Sequence, residues 1–74
     1  MNLSIDFGNT RTKLALFDGY ELKHKFILDQ LSISDLNAIL TNHSVEKIIY
    51  SSVVKLETAL EAYFQQHQAL VLTA

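Results

Sequence analysis

Apolar and polar residues alternate over residues 2–8, with Leu3, Ile5 and Phe7 on one face and Ser4 and Asp6 on the other. That period of two predicts a half-buried strand. Alternation returns over residues 11–17, where Leu14 and Leu16 oppose Lys13, Ala15 and Phe17. An even, two-residue loop between the strands makes their apolar faces coincide and sets Asp6 on the same face as Lys13. A three-residue loop would place Asp6 beside Thr12 and split the core face, so the pattern selects the even loop.

Asp18-Gly19 marks a second turn, and here the same test favours an odd loop. Three residues ending at Tyr20 align Leu22, His24, Phe26 and Leu28 with Leu14 and Leu16, whereas two would align Glu21, Lys23 and Lys25 with them. Gly19 is expected in the left-handed conformation. The third strand then spans residues 21–28, and Lys23 and Lys25 suit a sheet edge. Ser32 or Ser34 can cap a helix carrying Leu36, Ile39 and Leu40 and ending near Asn42 or His43. Val45 to Val54 is a nearly continuous apolar run around Ile48, Ile49 and Tyr50, which predicts a strand buried on both faces. Ser51 or Ser52 is the expected start of a second helix bearing Leu56, Ala59, Leu60, Tyr63 and Phe64 at helical spacing. Residues 69–74 form the last predicted strand.

The order β-β-β-α-β-α-β implies an α/β fold with a mixed five-stranded sheet. Its first three strands are antiparallel, its last two run parallel to the first, and the first strand is central. The chain has no internal repeat, low-complexity segment or linker.

Composition narrows the picture. The 74 residues are 49% apolar and 19% charged, which describes one globular domain near the lower size limit for a self-sufficient core. A net charge of −2 provides no basic block for nucleic acid or an anionic membrane. There is no cysteine, so thiolate metal sites and disulfides are excluded. The beginning of the chain has no signal-peptide pattern, and a cytoplasmic location is expected. The run Ala69-Leu70-Val71-Leu72-Thr73-Ala74 carries no polar tail, and residues 1–74 are therefore expected to be a single subdomain, a fragment of a longer protein.

Asp6 is the residue that this pattern leaves unexplained. One account is a cross-strand ion pair with Lys13, since opposed charges on neighbouring strands are common and modestly stabilising. The other is a phosphate-binding turn. A tight loop after a central strand exposes main-chain N–H groups, and Gly8 lets phosphate oxygens approach without a Cβ in the way. Asn9 and Thr10 add polar side chains, Lys13 adds positive charge, and Asp6 is a hard oxygen ligand for the Mg2+ that accompanies ATP. Spacing alone permits both. Other features have plainer explanations: His24, His43 and His67 lack ligand spacing, and Tyr63, Phe64 and Leu60 read as core. The triplet Asp6-Phe7-Gly8 has none of the preceding protein-kinase motifs, and there is no Walker A sequence.

The segment Ile5-Asp6-Phe7-Gly8-Asn9-Thr10-Arg11-Thr12-Lys13, followed by Leu14-Ala15-Leu16-Phe17-Asp18-Gly19, resembles the opening of type III pantothenate kinases. That family lies in the superfamily of acetate and sugar kinases, heat-shock chaperones and actin, whose first phosphate motif is a β-hairpin carrying Asp-x-Gly. Tyr50-Ser51-Ser52-Val53-Val54 is similar to a second family segment, with Lys55 here where the family usually has Pro. A buried strand followed by a helix cap accounts for the same residues.

The resemblance implies a ribonuclease H-like, actin-like ATPase lobe, the first of two in a longer kinase that transfers the γ-phosphoryl group of ATP to pantothenate and so starts coenzyme A synthesis. It assigns Asp6, Phe7, Gly8, Asn9, Thr10, Arg11, Thr12 and Lys13 to the ATP phosphates, with Asp6 also holding Mg2+ directly or through water. It places the catalytic acid, the second phosphate motif and a monovalent-cation site (K+ or NH4+) outside this chain. It also implies a homodimer for the full-length kinase and little or no activity for this chain alone. Two other readings stay open, another small-molecule kinase of the superfamily and a non-catalytic actin-like module that binds nucleotide for assembly or regulation.

Overall fold

The structure, a computed structural model, describes residues 1–72. Its elements are β1 (Asn2–Phe7), β2 (Thr12–Asp18), β3 (Glu21–Leu28), α1 (Ile33–Asn42), β4 (Lys47–Ser52), α2 (Thr58–Gln66) and β5 (Leu70–Val71). The strands form one five-stranded sheet in the order β3-β2-β1-β4-β5. β1 pairs antiparallel with β2, and β2 with β3, while β1–β4 and β4–β5 are parallel. The mixed sheet, the element order and the central first strand are those expected from the alternation.

Both crossovers, β3-α1-β4 and β4-α2-β5, advance in the same direction across the sheet. Right-handed connections therefore put both helices on one face. That face carries the core: Leu3, Ile5 and Phe7 from β1, Leu14 and Leu16 from β2, and Ile48 from β4 meet Leu36 and Ile39 of α1 and Leu60, Tyr63 and Phe64 of α2. Phe64 anchors α2. Its ring stacks on Tyr50 at 4.3 Å between centroids, and Phe7 meets Phe64 edge-on at 6.0 Å. Burial of such a ring stabilises the fold by about 2–3 kcal/mol before its aromatic contacts are counted. The opposite face of the sheet has no helix over it, and Asp6 and Lys13 are exposed there.

The first hairpin has the expected even register, with Asp6 opposite Lys13 and Phe7 opposite Thr12. One further bond, from the Gly8 N–H to the Arg11 carbonyl at 2.9 Å, closes its neck and leaves Asn9 and Thr10 at the tip. The second hairpin reaches its register by a different device from the expected three-residue loop. Asp18 pairs with Glu21 across a two-residue tip, and the register then shifts between Leu16 and Phe17, with Lys23 as the extra residue of a bulge. His24 and Phe26 thereby come opposite Leu16 and Leu14 as expected, but Leu22 pairs with Phe17 and is 50% exposed. Gly19, with φ of 61°, sets the tight turn, and the bulge restores the apolar face that the turn alone would have reversed.

Ser32 is the cap of α1. Its hydroxyl accepts from the Asp35 N–H at 3.1 Å, and the Asp35 carboxylate accepts from the Ser32 N–H at 3.0 Å, a reciprocal capping box. Three expectations for the second half need correction. β4 covers Lys47–Ser52 rather than residues 45–54, and its neighbours Val53 and Val54 are 71% and 41% exposed. α2 starts from Glu57, without a side-chain cap bond, and not from Ser51 or Ser52. Ser52 is engaged in a local turn instead, its Oγ accepting from the Val54 N–H at 3.1 Å. The last strand is confined to Leu70–Val71, both exposed, and residues 73–74 of the expected strand lie outside the described residues.

α2 ends in a Schellman arrangement. The Ala69 N–H donates to the Phe64 carbonyl at 2.8 Å and the Gln68 N–H to the Gln65 carbonyl at 3.1 Å, with Gln68 left-handed at φ of 54°. Among the described residues no helix is long and apolar enough to cross a membrane.

Candidate functional site

The carboxyl ends of the parallel strands β1 and β4 lie side by side, and the chain leaves them through residues 8–11 and 53–57. Open α/β sheets hold ligands in the crevice outside such strand ends. Here the hairpin tip stands between two grooves. One is lined by Asp6, Gly8, Thr10, Arg11 and Lys13. The other lies toward the helices and brings Asn9, Gln30 and Lys55 to the opposite side of the same tip.

The residues expected to bind phosphate therefore divide by side-chain direction. Asp6 and Lys13 share the uncovered face; Gly8, Thr10 and Arg11 continue that surface around the loop. Phe7 and Thr12 do not join them. Each is 5% exposed, with its side chain on the helix-covered face, at the wall of the second groove. Asn9 is exposed at the tip, in the second groove.

Lys13 lies across from Asp6 in the β1–β2 register, yet the two form no ion pair. The ion pairs among the described residues are Met1–Glu46 and Lys23–Glu21. Asp6 instead accepts a hydrogen bond from β4, where the Ser51 hydroxyl donates to Oδ1 at 3.4 Å. The structural account of the opening motif, a carboxylate neutralised by its cross-strand lysine, does not describe this geometry. An exposed acid and an exposed ammonium stand on one face with their charges available.

Gly8 has a local reason that the sequence did not reveal. A Cβ there would sit 3.0 Å from the Arg11 carbonyl oxygen, tighter than most such contacts, so a larger residue would require the neck of the hairpin to shift by a few tenths of an ångström. The glycine thus shapes the neck of the loop, its own N–H being bonded to the Arg11 carbonyl.

Sequence reasoning did not bring Ser51 to Asp6, because the contact depends on the β1–β4 register. It also treated the histidines as scattered, whereas His24 and His43 pack with ring centroids 4.8 Å apart beside Phe26. No third ligand joins them: among the described residues no group of three His, Cys, Asp or Glu is placed to hold a metal. His67 packs on Tyr63 at 4.3 Å. Burial pushes the Tyr63 hydroxyl up from its ordinary pKa of 10.0, and it donates to Asn37 Oδ1 at 2.8 Å, so this tyrosine serves the α1–α2 contact.

No family model matches the chain. Two curated relatives, both named type III pantothenate kinase and from two strains of Bacteroides fragilis, are each 33% identical to it over 72 residues, or 97% of this chain. The chain is similar to type III pantothenate kinases. It spans 30% of the length of those two relatives. The similarity takes in the Asp6 hairpin, both helices and β4 together, since nearly the whole chain is aligned.

Proposed function

We propose that this chain is the phosphate-binding part of an actin-like, ribonuclease H-like ATPase lobe, and that it acts within a kinase that phosphorylates pantothenate in coenzyme A biosynthesis. The observation that carries the proposal is Asp6 facing Lys13 without an ion pair between them, at the carboxyl end of the central strand, in a chain similar to kinases of that name.

Phosphoryl transfer depends chiefly on positioning and charge neutralisation, with little covalent chemistry for the protein to do. Lys13 presents an ammonium to phosphate oxygens, and the exposed residues Asn9, Thr10 and Arg11 add donors around the tip. The donor set at Asp6 fits Mg2+, which keeps several waters and takes one or two carboxylates in nucleotide sites. When bound with ATP, Mg2+ would neutralise charge on the phosphates. Asp6 is the residue that would hold it, directly or through water. The catalytic acid, a monovalent-cation site and a dimer contact are assigned to other parts of such a kinase, which we take to be cytoplasmic. This chain by itself is proposed to bind Mg-ATP weakly and to transfer no phosphate.

A titration of the 74-residue chain with Mg-ATP, followed by amide chemical shifts, tests this reading. Shifts concentrated at Asp6, Gly8 to Arg11 and Lys13, saturating at millimolar nucleotide, are expected. Shifts confined to other regions, or pantothenate phosphorylation by this chain alone, would contradict it.

A further inference from the structure

We propose that Ser51 is a positioning residue for the Asp6 carboxylate, holding it in the orientation in which it meets a nucleotide-bound divalent cation. This rests on the phosphate-site reading of Asp6. It adds a residue from a second strand, 45 positions away in sequence.

Asp6 is the middle member of a row across three strands. Lys13 flanks it on β2 and Ser51 on β4, each directly opposite in register and on the same sheet face. Among the described residues only Ser51 makes a side-chain bond to it, from the hydroxyl to Oδ1. Oδ2 has no side-chain partner among the described residues. An exposed carboxylate with no partner samples several rotamers, and a cation that binds it must select one of them. A hydroxyl fixed to one oxygen reduces that cost and leaves the other oxygen for the ion, as partners of metal-ligating carboxylates do. Ser51 itself is half-buried, one residue before the end of β4, where its main chain is still paired with Asp6 of β1.

The neighbouring serine shows what a structural role looks like in the same segment. Ser52 is opposite Phe7 in register, and its hydroxyl bonds both main-chain groups of Val54, turning the chain away from the strand. Ser51 takes no part in that turn. Two adjacent hydroxyls thus separate by function: one shapes the exit of β4, and the other reaches across to Asp6.

The test uses Mn2+-ATP as probe, with the folded 74-residue chain and three variants, Ser51→Ala, Ser51→Thr and Ser52→Ala. Paramagnetic broadening of the Asp6 and Gly8 amides reports binding at the site, and the Asp18 and Asp35 amides report indiscriminate carboxylate binding. Ser51→Ala is expected to weaken site-specific binding roughly three- to tenfold, less than is usual for a partner of a metal ligand because the bond is long and exposed. Its melting temperature should change little, since removing the hydroxyl leaves no buried polar group unpaired. Ser51→Thr keeps the hydroxyl on a strand-compatible side chain and should restore binding. Ser52→Ala should lower the melting temperature and leave binding unchanged. Unaltered Mn2+-ATP affinity in Ser51→Ala overturns the role of Ser51 while leaving the Asp6 site standing. Absence of selective broadening at Asp6 in the wild-type chain overturns the site itself and Ser51's part in it.

Discussion

Lys13 is the cross-strand partner of Asp6 in the β1–β2 ladder, and the two side chains do not form an ion pair. In a hairpin evolved only for stability, that position would be the natural place for charge neutralisation. Here the acid is bonded to Ser51 on the other side and the lysine has no carboxylate partner among the described residues.

Lys13→Met should therefore cost little stability. Urea unfolding is expected to show a change within about 0.5 kcal/mol, the range of an exposed substitution that breaks no bond. The same variant should weaken ATP binding several-fold, read from amide shifts at Gly8 to Arg11. A loss of about 1 kcal/mol, the upper range of an exposed ion pair, would instead indicate that Lys13 and Asp6 pair in solution.

The two glycines are predicted to differ in their consequences. Gly8→Ala pushes a Cβ to 3.0 Å from the Arg11 carbonyl and should open the neck of the phosphate hairpin. Gly19→Ala meets no atom within 4 Å but must hold φ of 61°, at a cost of about 1 kcal/mol from backbone strain alone. Both variants should melt earlier. Only Gly8→Ala should change the Mg-ATP-induced shifts.

Gln68 occupies the left-handed position that closes α2, where glycine is usual. Gln68→Gly should relieve the strain and raise stability by up to about 1 kcal/mol, without touching the site. Chemical denaturation measures this directly.

Tyr63 couples the α1–α2 contact to pH. Its folded-state pKa is raised by burial, so the folded protein prefers the neutral phenol. That contribution is fully present below the ordinary value of 10.0 and is lost as pH rises above it through the folded-state pKa. Unfolding measured from neutral to strongly alkaline pH should show stability falling beyond that point. Tyr63→Phe should flatten this part of the slope, at the expense of the Asn37 hydrogen bond.

Much of this architecture was legible because alternating strands report both their faces and their register. Leu3, Ile5, Phe7, Leu14 and Leu16 are enough to place Asp6 across from Lys13. The bulge at Lys23 was not legible, because no residue type marks it: the tight Gly19 turn and the apolar face of β3 demand opposite registers, and their reconciliation is a tertiary outcome. Ser52 misled for a related reason. A serine near a helix can cap it or close a turn before it, and the hydroxyl looks the same in both. The Ser51–Asp6 contact lay beyond reach, since it exists only once β4 has settled against β1. Whether Lys13 pairs with Asp6 was undecidable from spacing, which fixes their opposition but not the course of a flexible lysine side chain.

The most direct test of the account compares wild type with Asp6→Asn for the Mg2+-dependent part of ATP binding, with the melting temperature measured on the same samples. Asp6→Asn is predicted to fold and melt like wild type while losing the response of Gly8 to Arg11 to Mg2+ at fixed ATP. A variant that keeps the Mg2+ response and melts markedly earlier would show that Asp6 holds the sheet together and binds no nucleotide-associated ion.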